Sequence, residues 1–118
     1  MKTAVLLFFA LVLNSCNPGV PVPPLCAAAR EGNTARIAQL VKSGSDVNER
    51  GGVNDWTALM HAVHRNQPGA VAALIDSGAD VNATAGSGGR TTALRLARLQ
   101  GLGDIAVILR AHGAKEVQ

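Results

Sequence analysis

The chain has 118 residues, 47% of them hydrophobic, 16% charged and 3% aromatic, and its formal net charge is +3 at pH 7. This length allows one small domain at most. So few aromatic rings argue against the base-stacking surfaces of single-stranded nucleic-acid binders and against an ordinary small β-domain. The small net charge gives no support for nucleic-acid binding either. We therefore expect a core of small aliphatic side chains, which favours helices with alanine at their contacts.

The first residues are typical of an export signal. Lys2 provides a positive start, and residues 4–13 form an unbroken apolar run that is much shorter than the roughly 20 residues needed to span a membrane. The next residues, Leu13-Asn14-Ser15-Cys16, resemble the lipobox of bacterial lipoproteins, in which Leu stands three positions before a lipid-accepting Cys. This resemblance implies a signal peptide over residues 1–15, a lipidated Cys16 and a mature protein anchored to a membrane.

Ordinary signal cleavage is the alternative to lipidation. In that case Cys16 keeps its thiol, and an oxidising periplasm would allow a disulfide between Cys16 and Cys26. With Cys16 lipidated, Cys26 is left without a disulfide partner in the chain. The mass of the mature N-terminus separates these outcomes, because only lipidation adds acyl groups.

A proline-rich segment follows Cys16. Its four prolines lie between residues 17 and 24, and such a segment favours an extended, semi-rigid spacer. We predict a tether over residues 16–22 that holds a folded domain, residues 23–118, away from the membrane surface.

The rest of the chain is an internal repeat. The segment Gly44-Ser45-Asp46-Val47-Asn48 recurs 34 residues later as Gly78-Ala79-Asp80-Val81-Asn82, and a fainter copy, Gly113-Ala114, follows after another 35. A second landmark, Thr57-Ala58-Leu59, recurs 35 residues later as Thr92-Ala93-Leu94, with Pro23-Pro24-Leu25 as its upstream counterpart. Two landmarks that keep one spacing predict three structural units, at about residues 23–50, 53–84 and 88–115.

Each unit is predicted to contain two helices joined by a turn. Thr57 and Thr92 stand where a hydroxyl would cap the first helix. A glycine then follows the second helix in each unit, as a residue in the left-handed region would. The second helices place aliphatic residues at helical spacing; these are Ile37, Leu40 and Val41, then Val71, Leu74 and Ile75, then Ile105, Ile108 and Leu109.

This pattern resembles the ankyrin repeat, in which a Thr-Pro-Leu-His type of first helix precedes a second helix ending in Gly-Ala-Asp-Val-Asn. The resemblance implies an all-α solenoid of about three helix-turn-helix repeats with finger loops between them. Arg98 and Arg110 occupy positions that Val63 and Ile75 fill in the middle unit. Because an unpaired guanidinium is costly to bury, we expect the third unit to end the stack.

The ankyrin resemblance also implies a function without catalysis. Such repeats hold protein partners on the concave side, which is made of the fingers and the first helices. The matching positions of this chain are Arg30, Glu31, Arg50, Asn54, Asp55, Trp56, His64, Arg65, Arg90, Thr91, Leu99 and Gln100. Trp56 stands out among them, because Trp is a frequent anchor of protein interfaces.

Candidates for other chemistry are weak. His61 and His64 share a helix face and could supply two zinc ligands, but one packed and one exposed histidine is the simpler interpretation. Asp55, His61 and Ser77 are the residue types of a hydrolytic triad without the sequence context of one. The glycine-rich segment 85–90 lacks the lysine and hydroxyl residue of a phosphate-binding loop. We predict no catalytic residue, no metal and no cofactor.

These observations lead to one functional hypothesis and one alternative. The first is a scaffold or accessory protein, lipid-anchored on the periplasmic face of a bacterial cell envelope, that binds a periplasmic protein. The alternative is an immunity or inhibitor protein that neutralises a toxin or enzyme in the same compartment. A soluble periplasmic or secreted form is the alternative localisation if Cys16 is not lipidated.

Overall fold

The computed structural model of the protein describes residues 22–52 and 54–115. The predicted signal peptide, Cys16 and the tether up to residue 21 lie outside these residues. Within them the chain forms six α-helices and one short antiparallel pair of strands. In chain order the elements are α1 (Pro24–Glu31), α2 (Thr34–Lys42), β1 (Arg50–Gly51), β2 (Trp56–Thr57), α3 (Ala58–His64), α4 (Pro68–Asp76), a 3₁₀ turn (Ser87–Gly89), α5 (Ala93–Leu99) and α6 (Gly103–Ala111).

The helices are arranged in two rows. Each consecutive pair, α1 with α2, α3 with α4 and α5 with α6, packs as a hairpin. Across the repeats, α1 packs on α3 and α3 on α5, while α2 packs on α4 and α4 on α6. The first helices of the repeats therefore form one row and the second helices form the other, as predicted for the solenoid.

The first helices are short, and most of their central residues are buried. The hydroxyl of Thr57 accepts a hydrogen bond from the Met60 amide at 3.3 Å, and that of Thr92 accepts one from the Arg95 amide at 3.1 Å. These bonds satisfy amides that the first helical turn leaves free. The alanines at the helix contacts are buried, which lets the helices approach closely; they are Ala28, Ala29, Ala58, Ala62, Ala93 and Ala97.

The second helices bury only one face. Ile37, Leu74 and Leu109 are fully buried, whereas most other positions of these helices are exposed or half-buried. Two residues after the end of each helix stands a glycine with positive φ, namely Gly44, Gly78 and Gly113 at 102°, 97° and 92°. A positive φ favours glycine because it has no Cβ, which accounts for the glycine at the start of each recurring segment.

The recurring Asp-Val-Asn segments join neighbouring repeats. In each copy the Asp carboxylate accepts a hydrogen bond from the Asn amide two residues later, at 2.9 Å in both Asp46 and Asp80. The Asn side chain then reaches the next repeat, where the Asn48 oxygen accepts from the Asp80 amide at 2.7 Å and the Asn82 oxygen accepts from the Lys115 amide at 2.8 Å. The sequence repeat therefore reflects a chain of bonds along the stack.

Candidate partner-binding surface

The ends of the three first helices form a row along one side of the stack. Arg30, His64 and Leu99 occupy equivalent positions at the ends of α1, α3 and α5. The row therefore extends over all three repeats, and its members are separated by roughly the 8–10 Å that lies between adjacent packed helices. His64 is exposed, Arg30 is half-buried, and Leu99 is 72% exposed.

The residues that follow this row are also accessible. Glu31, Arg65 and Gln100 occupy the next equivalent position and are all exposed. Six of the twelve predicted partner-binding residues thus lie at the ends of the first helices or directly after them. The other six lie in the two finger loops.

The first finger is a small antiparallel hairpin. Arg50 pairs with Thr57, and Gly51 pairs with Trp56. Asp55 has a positive φ of 54° at the tip, where its amide donates to the Gly52 carbonyl at 3.2 Å. The Arg50 guanidinium donates to the Asp55 carbonyl at 3.4 Å. Exposed Asn54 and Asp55 lie at the tip of the hairpin, whereas exposed Arg50 and half-buried Trp56 lie in its paired strands.

The second finger is closed by a single bridge. Ala85 and Thr91 form an isolated antiparallel bridge, with N···O distances of 2.8 and 3.0 Å. The 3₁₀ turn lies between them. Arg90 is exposed and Thr91 is half-buried, so both residues are at least partly accessible.

Trp56 and two histidines form a small aromatic cluster between the first finger and α3. The Trp56 ring lies edge-to-face against the rings of His61 and His64, with centroids 5.6 and 5.0 Å away. Edge-to-face pairs at these distances are stabilising. The predicted site residues Trp56 and His64 are therefore in contact, whereas the contact with His61 was not foreseen from the sequence.

His61 holds the first finger against its helix. It is only 8% exposed, and its Nε2 lies 2.8 Å from the carbonyl oxygen of Gly51 in β1. Burial lowers the pKa of the His61 imidazole, and the charges of Arg30, His64 and Arg65 lower it further, although the bond to Gly51 opposes these effects. At neutral pH the ring is therefore neutral and donates from Nε2. A histidine ten residues after a glycine gave no signal of this bond in the sequence.

The depressed pKa predicts an acid-sensitive fold. In the unfolded chain the pKa of His61 is about 6.5, whereas in the folded protein it is lower. Below about pH 6.5 the unfolded chain therefore binds a proton that folded His61 does not, and the free energy of unfolding should fall as the pH drops. Urea unfolding followed by circular dichroism between pH 7.5 and 5 measures this dependence. His61→Gln should reduce it, whereas the matched change at exposed His112, His112→Gln, should retain it. If the free energy of unfolding depended equally on pH in the wild type, His61→Gln and His112→Gln, His61 would not be the source of the acid sensitivity.

A family model for ankyrin repeats, described as three copies, matches residues 4–85 and 25–117. The chain belongs to the ankyrin-repeat family. Among solved structures, the human ASB11 ankyrin repeat domain is similar, with a TM-score of 0.70 and 28% sequence identity, covering 80% of this chain and 41% of that one. The chain thus spans less than half the length of that structure. A search of curated protein sequences gave no significant match.

Membership of the ankyrin family confirms the predicted fold. Ankyrin repeats are generally protein–protein interaction modules, and the fold is typically a non-catalytic scaffold. In the described part of this ankyrin protein, no helix combines the length and apolar character required to cross a membrane.

Two of the residues considered for other chemistry, His61 and Ser77, are bonded to the ankyrin backbone. The Ser77 hydroxyl donates to the Ala73 carbonyl at 2.8 Å, and His61 is bound to Gly51. Residues 22–52 and 54–115 contain no group of three or more His, Cys, Asp or Glu side chains that could hold a metal ion. The bonds of His61 and Ser77 are local contacts within the ankyrin fold.

Cys26 is a packed residue of α1. Its side chain is fully buried, with Sγ 3.8 Å from the Glu49 carbonyl oxygen. Burial raises the pKa of the Cys26 thiol to about 12, the charge of Glu49 adds to this, and Arg30 opposes it. Since the thiolate is the reactive form of cysteine, Cys26 is unreactive near neutral pH.

Proposed function

We propose that this ankyrin-repeat protein is a non-catalytic scaffold or accessory protein of the bacterial cell envelope. Lipidated Cys16 anchors it at the periplasmic face, residues 16–22 act as the tether, and the concave side of the stack binds a periplasmic protein. The anchor is supported by the lipobox-like segment that ends at Cys16 and by the apolar run before it.

The binding role is supported chiefly by the composition of the concave side. It carries half-buried Trp56, which contacts His64, and it leaves the Leu99 side chain 72% exposed. Trp and Arg are enriched among residues that contribute most to interface energies. The same side carries Arg30, Arg50, Arg65 and Arg90, so residue types typical of interface anchors are concentrated there.

Site-specific photo-crosslinking in cells tests the binding role. A photo-reactive amino acid would replace Gln100 on the concave side or Val107 in α6, both of which are exposed, in the full-length chain with a C-terminal tag. We expect one defined protein to crosslink from position 100 but not from position 107. Equal crosslinking from both positions would refute a concave binding face. The identity of the partner distinguishes a scaffold, with a resident envelope protein, from the alternative inhibitor, with a toxin.

Fractionation and mass spectrometry test the anchor separately. The wild-type protein should be recovered in the membrane fraction, with acyl mass on its N-terminal Cys16. Cys16→Ala should move the protein out of that fraction. An unmodified mature N-terminus in the wild type would overturn the lipid anchor and leave the binding role standing.

A further inference from the structure

The outer face of the third repeat, which points away from α3 and α4, carries three exposed arginines. Each of them stands at a position that is apolar and at least half-buried in both other repeats. The equivalent residues are Cys26, Met60 and Arg95, then Ala29, Val63 and Arg98 in the first helices, and Val41, Ile75 and Arg110 in the second helices. These positions face the next repeat in the first two units. In the third unit they form a charged end face, defined as Arg95, Arg98 and Arg110.

The charges of the third repeat have predominantly one sign. A polar outer face keeps the end of a repeat stack soluble, but solubility does not require that all its charges be positive. Two further positions change from acidic to basic between the second and third repeats, because Arg90 replaces Asp55 and Lys115 replaces Asp80. The third repeat is therefore strongly basic, whereas the second is not.

The single carboxylate within residues 88–115 does not neutralise the end face. It belongs to Asp104, in the first turn of α6. The equivalent residue of the second repeat is Gly69, where a Cβ atom would lie 3.5 Å from the Thr34 side chain of the preceding repeat. The position of Asp104 thus faces back along the stack, away from the end face.

An aliphatic side chain lies exposed beside these charges. Val107 precedes Arg110 by three residues in α6, so the two are neighbours on the helix surface, and Val107 is 64% exposed. Arginines combined with exposed apolar side chains are typical of protein surfaces that bind anionic lipid headgroups. The end face therefore has the chemistry of a membrane contact.

The chain between Cys16 and α1 is long enough for this contact. Eight residue steps separate Cys16 from Pro24, and an extended proline-rich chain of this length spans up to about 25 Å, at about 3.1 Å per residue. The first and third repeats are two helix spacings apart, which is roughly 16–20 Å. A lipid on Cys16 and the end face can therefore reach the same bilayer, with the stack upright on it.

We propose that the end face of the third repeat, together with Val107, docks on the anionic phospholipid headgroups of the membrane that holds Cys16. This inference rests on the lipid anchor of the proposed function and specifies how the protein is oriented on the membrane. A lipid chain and a basic surface act together in membrane attachment. In this orientation the row of helix ends runs away from the bilayer, so the concave side stays open to a protein partner.

Fluorescence quenching in vesicles tests this orientation. The lipidated protein, made from the full-length chain, would carry Val107→Cys or Ala38→Cys, which is the equivalent exposed position of the first repeat, and a thiol-reactive fluorophore. Buried Cys26 will not compete for the label, because its pKa is about 12.

The vesicles contain a lipid whose headgroup carries a spin label that quenches the fluorophore. In equal parts of phosphatidylcholine and phosphatidylglycerol, we expect quenching to be about fivefold stronger at position 107 than at position 38. The difference should disappear in phosphatidylcholine alone, because the anionic headgroups are absent, and it should shrink with added salt.

Matched charge variants assign the contact to the end face. Arg95→Gln combined with Arg98→Gln removes two exposed charges from α5 and should abolish most of the quenching at position 107. Arg36→Gln combined with Lys42→Gln removes two exposed charges from α2 and should leave it unchanged. Arg95→Lys combined with Arg98→Lys keeps both charges and should retain the quenching. Circular dichroism should show the same helical signal in all these proteins, because every substituted side chain is exposed.

The outcomes separate this inference from the function on which it rests. Equal quenching at positions 38 and 107, or quenching at position 107 that persists without phosphatidylglycerol or without the two α5 charges, would overturn the membrane docking. Crosslinking of position 107 to a second copy of the chain would also overturn it and assign the end face to self-association. In each case, acyl mass on Cys16 and capture of the partner from position 100 would leave the proposed function intact. An unmodified N-terminus would instead overturn the anchor and this orientation together.

Discussion

Val63→Arg is expected to remove a large part of the free energy of unfolding of the protein. Val63 is fully buried in α3, the helix that packs against both α1 and α5. An arginine there would overfill a packed site, which typically costs about 1–3 kcal/mol, and would bury a charge without a partner, which costs several kcal/mol more. We expect a loss of roughly 4 kcal/mol or more, against a total stability of about 5–15 kcal/mol for natural domains.

The structure offers a matched control for this substitution. Val107 is 64% exposed in α6, so Val107→Arg introduces the same side chain without burying it and should change the stability by no more than about 0.5 kcal/mol. Urea unfolding followed by circular dichroism at 222 nm gives both values. A Val63→Arg protein as stable as Val107→Arg would show that the α3 interface does not hold the repeats together.

The same comparison explains why the repeat could be recognised from the sequence. The position of Val63 is taken by buried Ala29 in the first repeat and by exposed Arg98 in the third. A position between repeats admits only small or aliphatic residues, whereas the corresponding position of the third repeat accepts a guanidinium. Two recurring landmarks and this change of residue type predict the helical pairs, because each landmark corresponds to a hydrogen bond or a packing contact.

The fingers were predicted less completely, because their bonds are not periodic. The β1–β2 hairpin depends on a positive φ at Asp55, a residue type that is not diagnostic of that conformation. The bond from His61 to the Gly51 carbonyl occurs in the second repeat alone, since Ala27 and Leu96 occupy the equivalent positions. Sequence comparison between repeats identifies what they share and therefore gave no signal for this contact.

The arrangement of the candidate surface was predictable only in part from the sequence. Alignment of the repeats correctly placed Arg30, His64 and Leu99 at equivalent helix ends. It did not predict that Trp56 contacts two histidines, because this depends on the pairing of Gly51 with Trp56 across the hairpin. Position along a repeat was therefore available from the sequence, whereas contact between the finger and the helix was not.

Trp56→Ala is expected to weaken partner binding by about 2 kcal/mol or more, which corresponds to roughly a 30-fold increase in Kd. The indole is half-buried in β2 of the first finger, in contact with His64, so part of its surface remains available to a partner. The alanine substitution removes that surface, and it also removes the edge-to-face contacts of the Trp56 ring with His61 and His64. Titration of the crosslinked partner, once purified, against wild-type and variant proteins measures the change.

The substitution must be distinguished from a loss of folding, and the position of Trp56 makes this feasible. Trp56 lies in β2, before α3 begins at Ala58, so Trp56→Ala should keep the helical circular-dichroism signal while lowering stability by about 1–3 kcal/mol. Trp56→Phe retains an aromatic ring in the cluster and should recover part of the lost affinity. Unchanged binding by a folded Trp56→Ala protein would mean that the partner does not contact this finger at Trp56, and the concave assignment would be wrong.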